Sequence, residues 1–205
     1  MVSGDKLAGC KRARRMSKKY KVIYADCPWD YDDKNCNGAI GSHYASLSVR
    51  DLACLPVHLL ADDDCVLFLW ATYPFLPEAL SVISAWGFKY KSIAFQWVKL
   101  NPKSLTPFYG LGRWTRGNTE PCLLATKGNP HRVAKDVFQL VVCPREGHSV
   151  KPLVVRSQIG HLMGDVPRLE LFARERVSGW DAMGYDIDGK DIRIALAEKL
   201  AEFEG

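Results

Sequence analysis

The run CVLFLWA, Cys65 to Ala71, is unbroken apolar sequence of strand length, and it leaves few folds open. A strand with one wet face alternates apolar and polar residues. A strand with no polar position must be covered on both faces, as in a parallel sheet layered between helices. Lys21 to Ala25 reads as a second short buried strand ahead of it, and further strand patterns fall at about 90–98, 120–126, 137–143 and 168–173.

Helix signals alternate with these strands. Ser48 caps a short helix over about 48–54 that Pro56 stops. Pro74 to Trp86 places Leu76, Leu80, Ile83 and Trp86 near helical spacing, with Gly87 closing the end. A helix begins near Lys151, with Pro152 in its first turn, and a last one spans Ile192 to Phe203. At 205 residues and 47% hydrophobic, the chain suffices for one full core. The expectation is a single α/β layered domain over 20–205 without internal repeat.

Residues 1–19 differ in character. Lys11, Arg12, Arg14, Arg15, Lys18 and Lys19 crowd there against the lone acid Asp5, which makes either a solvated tail or an arm that contacts phosphates. No apolar h-region follows, so a signal peptide is not expected. The longest apolar run, residues 65–76, is shorter than the roughly 20 residues of a membrane helix. Seven cysteines form no C-x-x-C pair and the five histidines are scattered, so no metal site and no disulfide framework is expected, and a reducing cytoplasm is the simplest setting.

The strand at 21–25 runs directly into Asp26-Cys27-Pro28-Trp29, and ligands of open α/β sheets bind at such strand ends. An acid, a rigid turn and an exposed ring together suit an exocyclic amine on a base. One amine hydrogen would go to the Asp26 carboxylate and the other to a backbone carbonyl that Pro28 holds in place, while Trp29 stacks on the ring. The alternative is a strand-end acid capping a loop, with Trp29 packed in the core. Two loops are long enough to be functional. The one at 30–43 is rich in Asp, Asn and Gly, and the one between the strands at 90–98 and 120–126 carries Pro102, Pro107, Gly110, Gly112 and Gly117.

The blocks YADCPWDY, HYASLS, LFLWAT, WGFKY, WVKLN, GRWTRGNTEPCLLATKGNP, HSVKP, RLELFAR and GWDAMG follow one another in that order. Together, over about residues 20–186, they resemble the MT-A (seventy-kilodalton-subunit) family of N(6)-adenine methyltransferases, in its small bacterial or phage form. The resemblance implies a Rossmann-like S-adenosylmethionine-dependent methyltransferase fold whose catalytic motif precedes its cofactor motif. It implies methyl transfer to the N(6) amine of adenine in nucleic acid, with DNA favoured over RNA. The family tetrapeptide is D-P-P-W, and here Cys27 replaces its first proline.

The same resemblance assigns catalysis to Asp26, Cys27, Pro28 and Trp29. It assigns the cofactor to Asp26, Lys151, Glu170, Leu171, Arg174, Tyr185 and Asp186, and the nucleic acid to His43, Tyr44, Lys99, Trp114, Arg116 and Asn118. Lys151 suits the cofactor carboxylate because an ammonium at a helix start adds to the helix's own attraction for an anion. An internal Glu170–Arg174 ion pair is the alternative for those two residues. The block that ends Gly-Asn-Glu or Gly-Asn-Gln in the family reads Gly184-Tyr185-Asp186 here. Trp70 and Trp97, inside apolar strands, are expected in the core. No G-x-G-x-x-G occurs, so a dinucleotide site has no support. A catalytically inactive homologue that binds nucleic acid or a partner, and a nucleotide-binding scaffold, are the rival functions, and the chain is expected to be a monomer or homodimer.

Overall fold

A computed structural model describes residues 19–30, 46–112, 114–147 and 150–204. The basic arm at 1–18 and the loop pair His43 and Tyr44 lie outside the described residues. In chain order the strands are β1 Tyr20–Asp26, β2 Ala61–Trp70, β3 Lys89–Leu100, β4 Thr119–Lys127, β5 Leu140–Pro144, β6 Arg168–Leu171 and β7 Asp181–Met183. The helices are α1 Val49–Ala53, α2 Val57–Leu60, α3 Leu76–Ala85, α4 Leu153–Met163, α5 Tyr185–Asp188 and α6 Ile192–Glu204.

The strands form one sheet in the order β5-β3-β4-β2-β1-β6-β7. β1 lies parallel to both β2 and β6, β6 is parallel to β7 and β3 to β5, while β4 runs antiparallel to both its neighbours. The chain therefore moves out to one side of β1 through β2 and returns to its other side at β6. The carboxyl ends of β1 and β6 flank the point where the winding direction changes, which is where open α/β sheets bind ligands.

The unbroken apolar run of β2 is used on both faces. Val66, Phe68 and Trp70 enter the core on one side, where they meet Val155, Ile159 and Met163 of α4. Cys65, Leu67 and Leu69 enter the core on the other side with Ala79, Val82 and Ile83 of α3 and with Leu196 of α6. β1 divides in the same way, with Val22 and Tyr24 on the first side and Ile23 and Ala25 on the second. Trp70 and Trp97 are buried, as expected of them. The Trp70 indole N–H donates to the Tyr24 hydroxyl at 2.6 Å and that of Trp86 to the Leu52 carbonyl at 2.8 Å, so neither buried donor is orphaned.

Ser48 caps α1, its hydroxyl accepting from the Asp51 amide at 3.1 Å. Several boundaries differ from the sequence reading. β2 starts at Ala61 rather than Cys65 because it extends through Asp62–Asp64, where the intermediate or exposed carboxylates remain at the sheet margin. α3 starts at Leu76 because Tyr73–Phe75 form a 3₁₀ turn. β5 starts at Leu140 rather than 137. The short elements α2, α5 and β7 carry too few residues for a periodic signal. No helix among the described residues is long and apolar enough to cross a membrane.

Beside the switch point two backbone features bring β6 and β7 together. Phe172, immediately after β6, has a left-handed φ of 59°, which is costly for a residue with a Cβ. Gly184, immediately after β7, passes so near Ala173 that a Cβ would lie 2.2 Å from the Ala173 carbonyl oxygen and 2.7 Å from its nitrogen. Backbone atoms cannot move aside as a side chain would. Gly184→Ala is therefore expected to cost about 1–3 kcal/mol in urea denaturation through overpacking, and unaltered stability would contradict this close approach.

Candidate active site

Asp26 ends β1, and its register partner on β2 is Trp70. Trp70 in turn faces Cys122 on β4, which puts the start of β4 at the same sheet edge as Asp26. Lys151, two residues before α4, reaches into this edge. Its Nζ lies 2.8 Å from both carboxylate oxygens of Asp26 and 3.2 Å from Oε1 of Glu120. The other oxygen of Glu120, Oε2, lies 2.6 Å from Nζ of Lys99 on β3. Asp26, Lys151, Glu120 and Lys99 thus form a chain of alternating charge across β1, β4 and β3, with no net charge among the four.

All four side chains are largely removed from water. Burial raises the Asp26 carboxyl above the ordinary carboxylate value, and the Lys151 ammonium recovers only part of that. Burial works against the charge on Lys151, yet Asp26 and Glu120 outweigh it, so Lys151 holds its proton more tightly than a solvated lysine. A carboxylate that is buried beside one ammonium, with its shift upward, is poised to accept a hydrogen from a neutral donor.

Cys27 is buried, and burial reinforced by the Asp26 charge pushes its thiol well up, which disfavours the thiolate. The Cys27 carbonyl accepts from the Trp29 amide at 2.9 Å, closing a tight turn around Pro28, and the Pro28 carbonyl accepts from the Leu47 amide at 3.0 Å. Trp29 corrects the expectation of an exposed ring. It is 7% exposed, its ring packs against Phe75 at 5.7 Å, and its N–H points to the Trp70 carbonyl at 3.3 Å. Here Trp29 anchors the turn in the core.

Glu170 and Leu171 end β6 next to β1, with Leu171 fully buried. Glu170 takes Arg156 of α4 in a two-point contact, 2.8 Å from Nε and 3.0 Å from Nη2. Arg156 also reaches Glu175 at 2.8 Å. Tyr185 and Asp186 sit exposed on α5, immediately after Gly184. Lys99 joins the charge chain and lies 5.0 Å from the centre of the Trp97 ring. Trp114 and Arg116 stand on the exposed loop between β3 and β4, apart from the charge chain, with Arg116 stacked at 4.6 Å on Tyr109. Asn118 binds the root of that loop, its carbonyl accepting from the Lys99 amide at 2.8 Å.

Glu120 and Arg156 were not expected. The signal for Glu120 was present as an acid inside the apolar strand TEPCLLA, since a carboxylate buried in a sheet requires a cation. Arg156 left no comparable trace among the apolar residues of α4. Among the described residues no group of three His, Cys, Asp or Glu is placed to hold a metal ion.

An α/β sheet with a strand-end Asp-Cys-Pro-Trp turn at its switch point, backed by a lysine ahead of the next helix, is the Rossmann-like arrangement that the resemblance to the adenine methyltransferases implies. A model of the MT-A70 family matches residues 20–186, and the chain belongs to that family. It is 35% identical to the Type II methyltransferase M.MunI of Mycoplasma sp, over 90% of this chain and 85% of that protein. It is 27% identical to the N(6)-adenosine-methyltransferase MT-A70-like proteins of Drosophila melanogaster and Arabidopsis thaliana, over 91% and 90% of this chain but 29% and 26% of theirs.

The chain of charges has a direct test. Glu120→Ala is expected to cost about 1.5–3 kcal/mol in chemical denaturation, the scale of hydrogen bonds to charged groups. Lys99→Met in that background should cost little more, because its partner is already gone. Additive losses would show that the two groups act independently.

Proposed function

We propose that the chain transfers a methyl group from S-adenosylmethionine to the exocyclic N(6) amine of adenine in DNA. The observation that carries this reading is the Asp26 carboxylate, fixed at the carboxyl end of β1 by a lysine within 2.8 Å of both its oxygens. When bound, S-adenosylmethionine supplies a methyl group already activated by its sulfonium. What remains for the protein is to orient the amine and expose its lone pair.

One amine hydrogen goes to Asp26 and the other to the Cys27 carbonyl, whose oxygen has a lone pair beyond the one used by the Trp29 amide. These two bonds draw the nitrogen from planar toward tetrahedral. Cys27 can stand where the family has proline because the carbonyl, not the side chain, does the work.

The zwitterionic end of the cofactor suits a cluster that presents both an ammonium, Lys151, and a carboxylate, Asp26. Leu171, Arg174, Tyr185 and Asp186 at the ends of β6 and β7 would take the remainder, with Asp186 accepting from ribose hydroxyls as acidic residues do in nucleotide sites. Glu170 supports this wall through Arg156. DNA is favoured over RNA because the likeness to M.MunI runs through most of both chains, whereas the Drosophila and Arabidopsis N(6)-adenosine-methyltransferase MT-A70-like proteins match over under a third of their length. His43, Tyr44, Trp114, Arg116 and Asn118 are the candidates for holding the nucleic acid.

Incubation with labelled S-adenosylmethionine and matched DNA and RNA, followed by nucleoside mass spectrometry, is expected to give N(6)-methyladenine in DNA. Asp26→Ala should cut turnover about a hundredfold or more. It should leave the fold intact, since Lys151 keeps Glu120 as its partner. Near-normal turnover in the folded variant, or a preference for RNA, would contradict the proposal.

A further inference from the structure

The segment between β3 and β4 is a built projection. Residues 101–107 form a compact turn: the Asn101 side chain donates to Thr106 Oγ1 at 3.0 Å and to the Pro107 carbonyl at 3.2 Å. Beyond this turn residues 108–112 and 114–118 form the two arms of a narrow, exposed finger. Both of its roots are tied to one residue, because the Phe108 amide donates to the Lys99 carbonyl and the Lys99 amide to the Asn118 carbonyl, each at 2.8 Å. The two arms then close on each other without intervening side chains. A Cβ on Gly110 would lie 1.9 Å from the Gly117 carbonyl oxygen, and one on Gly112 would lie 1.7 Å from that of Thr115.

This closure pushes apolar groups out at the tip. Leu111 is 98% exposed and Trp114 is 100% exposed, while Tyr109 below them is stacked with Arg116. Arg145 lies 3.7 Å from the centre of the Phe108 ring at the root. A fully solvated tryptophan and leucine on a tip only a few residues wide, with cations stacked on the aromatic rings behind them, match a wedge that enters a base stack while its flanks meet phosphates. The root is part of the catalytic edge, since the Lys99 side chain holds Glu120, and Glu120 holds Lys151 beside Asp26.

We infer that this finger is an extrusion wedge: Leu111 and Trp114 enter the duplex beside the target adenine and occupy the stack that the base leaves, while Arg116 and Arg145 meet the flanking phosphates. The inference rests on the methyl-transfer reading and adds how a paired adenine reaches Asp26. Pulling a base from a duplex costs stacking and pairing, whereas a single strand offers little to pay back. The wedge therefore matters for duplex substrate and much less for single strands.

The test compares the intact chain with a Leu111→Ser/Trp114→Ser double variant on oligonucleotides of one sequence, duplex and single-stranded. The ratio of kcat/KM for duplex to kcat/KM for single strand is expected to fall about tenfold or more, the scale of one lost stacking contact. With 2-aminopurine at the target position, the fluorescence rise that reports extrusion should shrink in the variant. An unchanged ratio with an unchanged fluorescence rise overturns the wedge while leaving methyl transfer in place. A variant that turns a dimer into a monomer in sedimentation, without altering the ratio, overturns it in favour of a protein partner at the tip. Absence of methylation on any DNA by the intact chain would remove the methyl-transfer reading, and the wedge with it.

Discussion

Lys151 sits between two carboxylates that could not otherwise share one sheet edge. Asp26 and Glu120 belong to strands separated by β2, and each is too buried to be solvated as an exposed acid would be. One ammonium within hydrogen-bonding reach of both removes the repulsion and much of the desolvation cost, and Lys99 supplies the second cation that makes the group neutral. Removing a single member would leave an uncompensated charge in a low-dielectric setting. That is why four residues from four different segments of the chain behave as one unit.

The unit stands where the fold permits a ligand. Because the chain winds outward from β1 on one side and returns on the other at β6, the carboxyl ends of these two strands flank the switch point where open α/β sheets bind ligands. The turn built on Cys27 and Pro28 stands at that end, with buried Trp29 as its anchor against Phe75. Phe172 and Gly184 shape the opposite wall through a left-handed φ and a close backbone contact. The finger roots on Lys99, so the same charge group that holds Asp26 also fixes the finger's base.

Much of this was legible in the order of the residues. The two-sided burial of Cys65–Ala71 follows from its lack of polar positions, the Ser48 cap forms as its spacing predicts, and Asp26 lies at a strand end because Pro28, two residues on, cannot continue a strand. The reversed direction of β4 was not legible, since an apolar strand has the same pattern in either direction. Trp29 misled because a tryptophan beside a catalytic acid reads equally as a stacking platform or a core anchor, and Phe75, which decides between them, lies far off in sequence. Glu120 is hidden for the same reason: its cations, at 99 and 151, are brought to it by sheet register and by the segment ahead of α4, neither of which local pattern reveals.

If the charge group is the seat of cofactor capture as well as of catalysis, the ammonium shared by Asp26 and Glu120 must also meet the carboxylate of the incoming cofactor. Calorimetric titration of S-adenosylmethionine into the intact chain and into Lys151→Ala tests this most directly. Loss of one charged hydrogen bond, about 1.5–3 kcal/mol, predicts binding roughly ten- to a hundredfold weaker in the variant. Equal affinity in the two proteins would show that Lys151 only neutralises its neighbours and that the cofactor is held elsewhere.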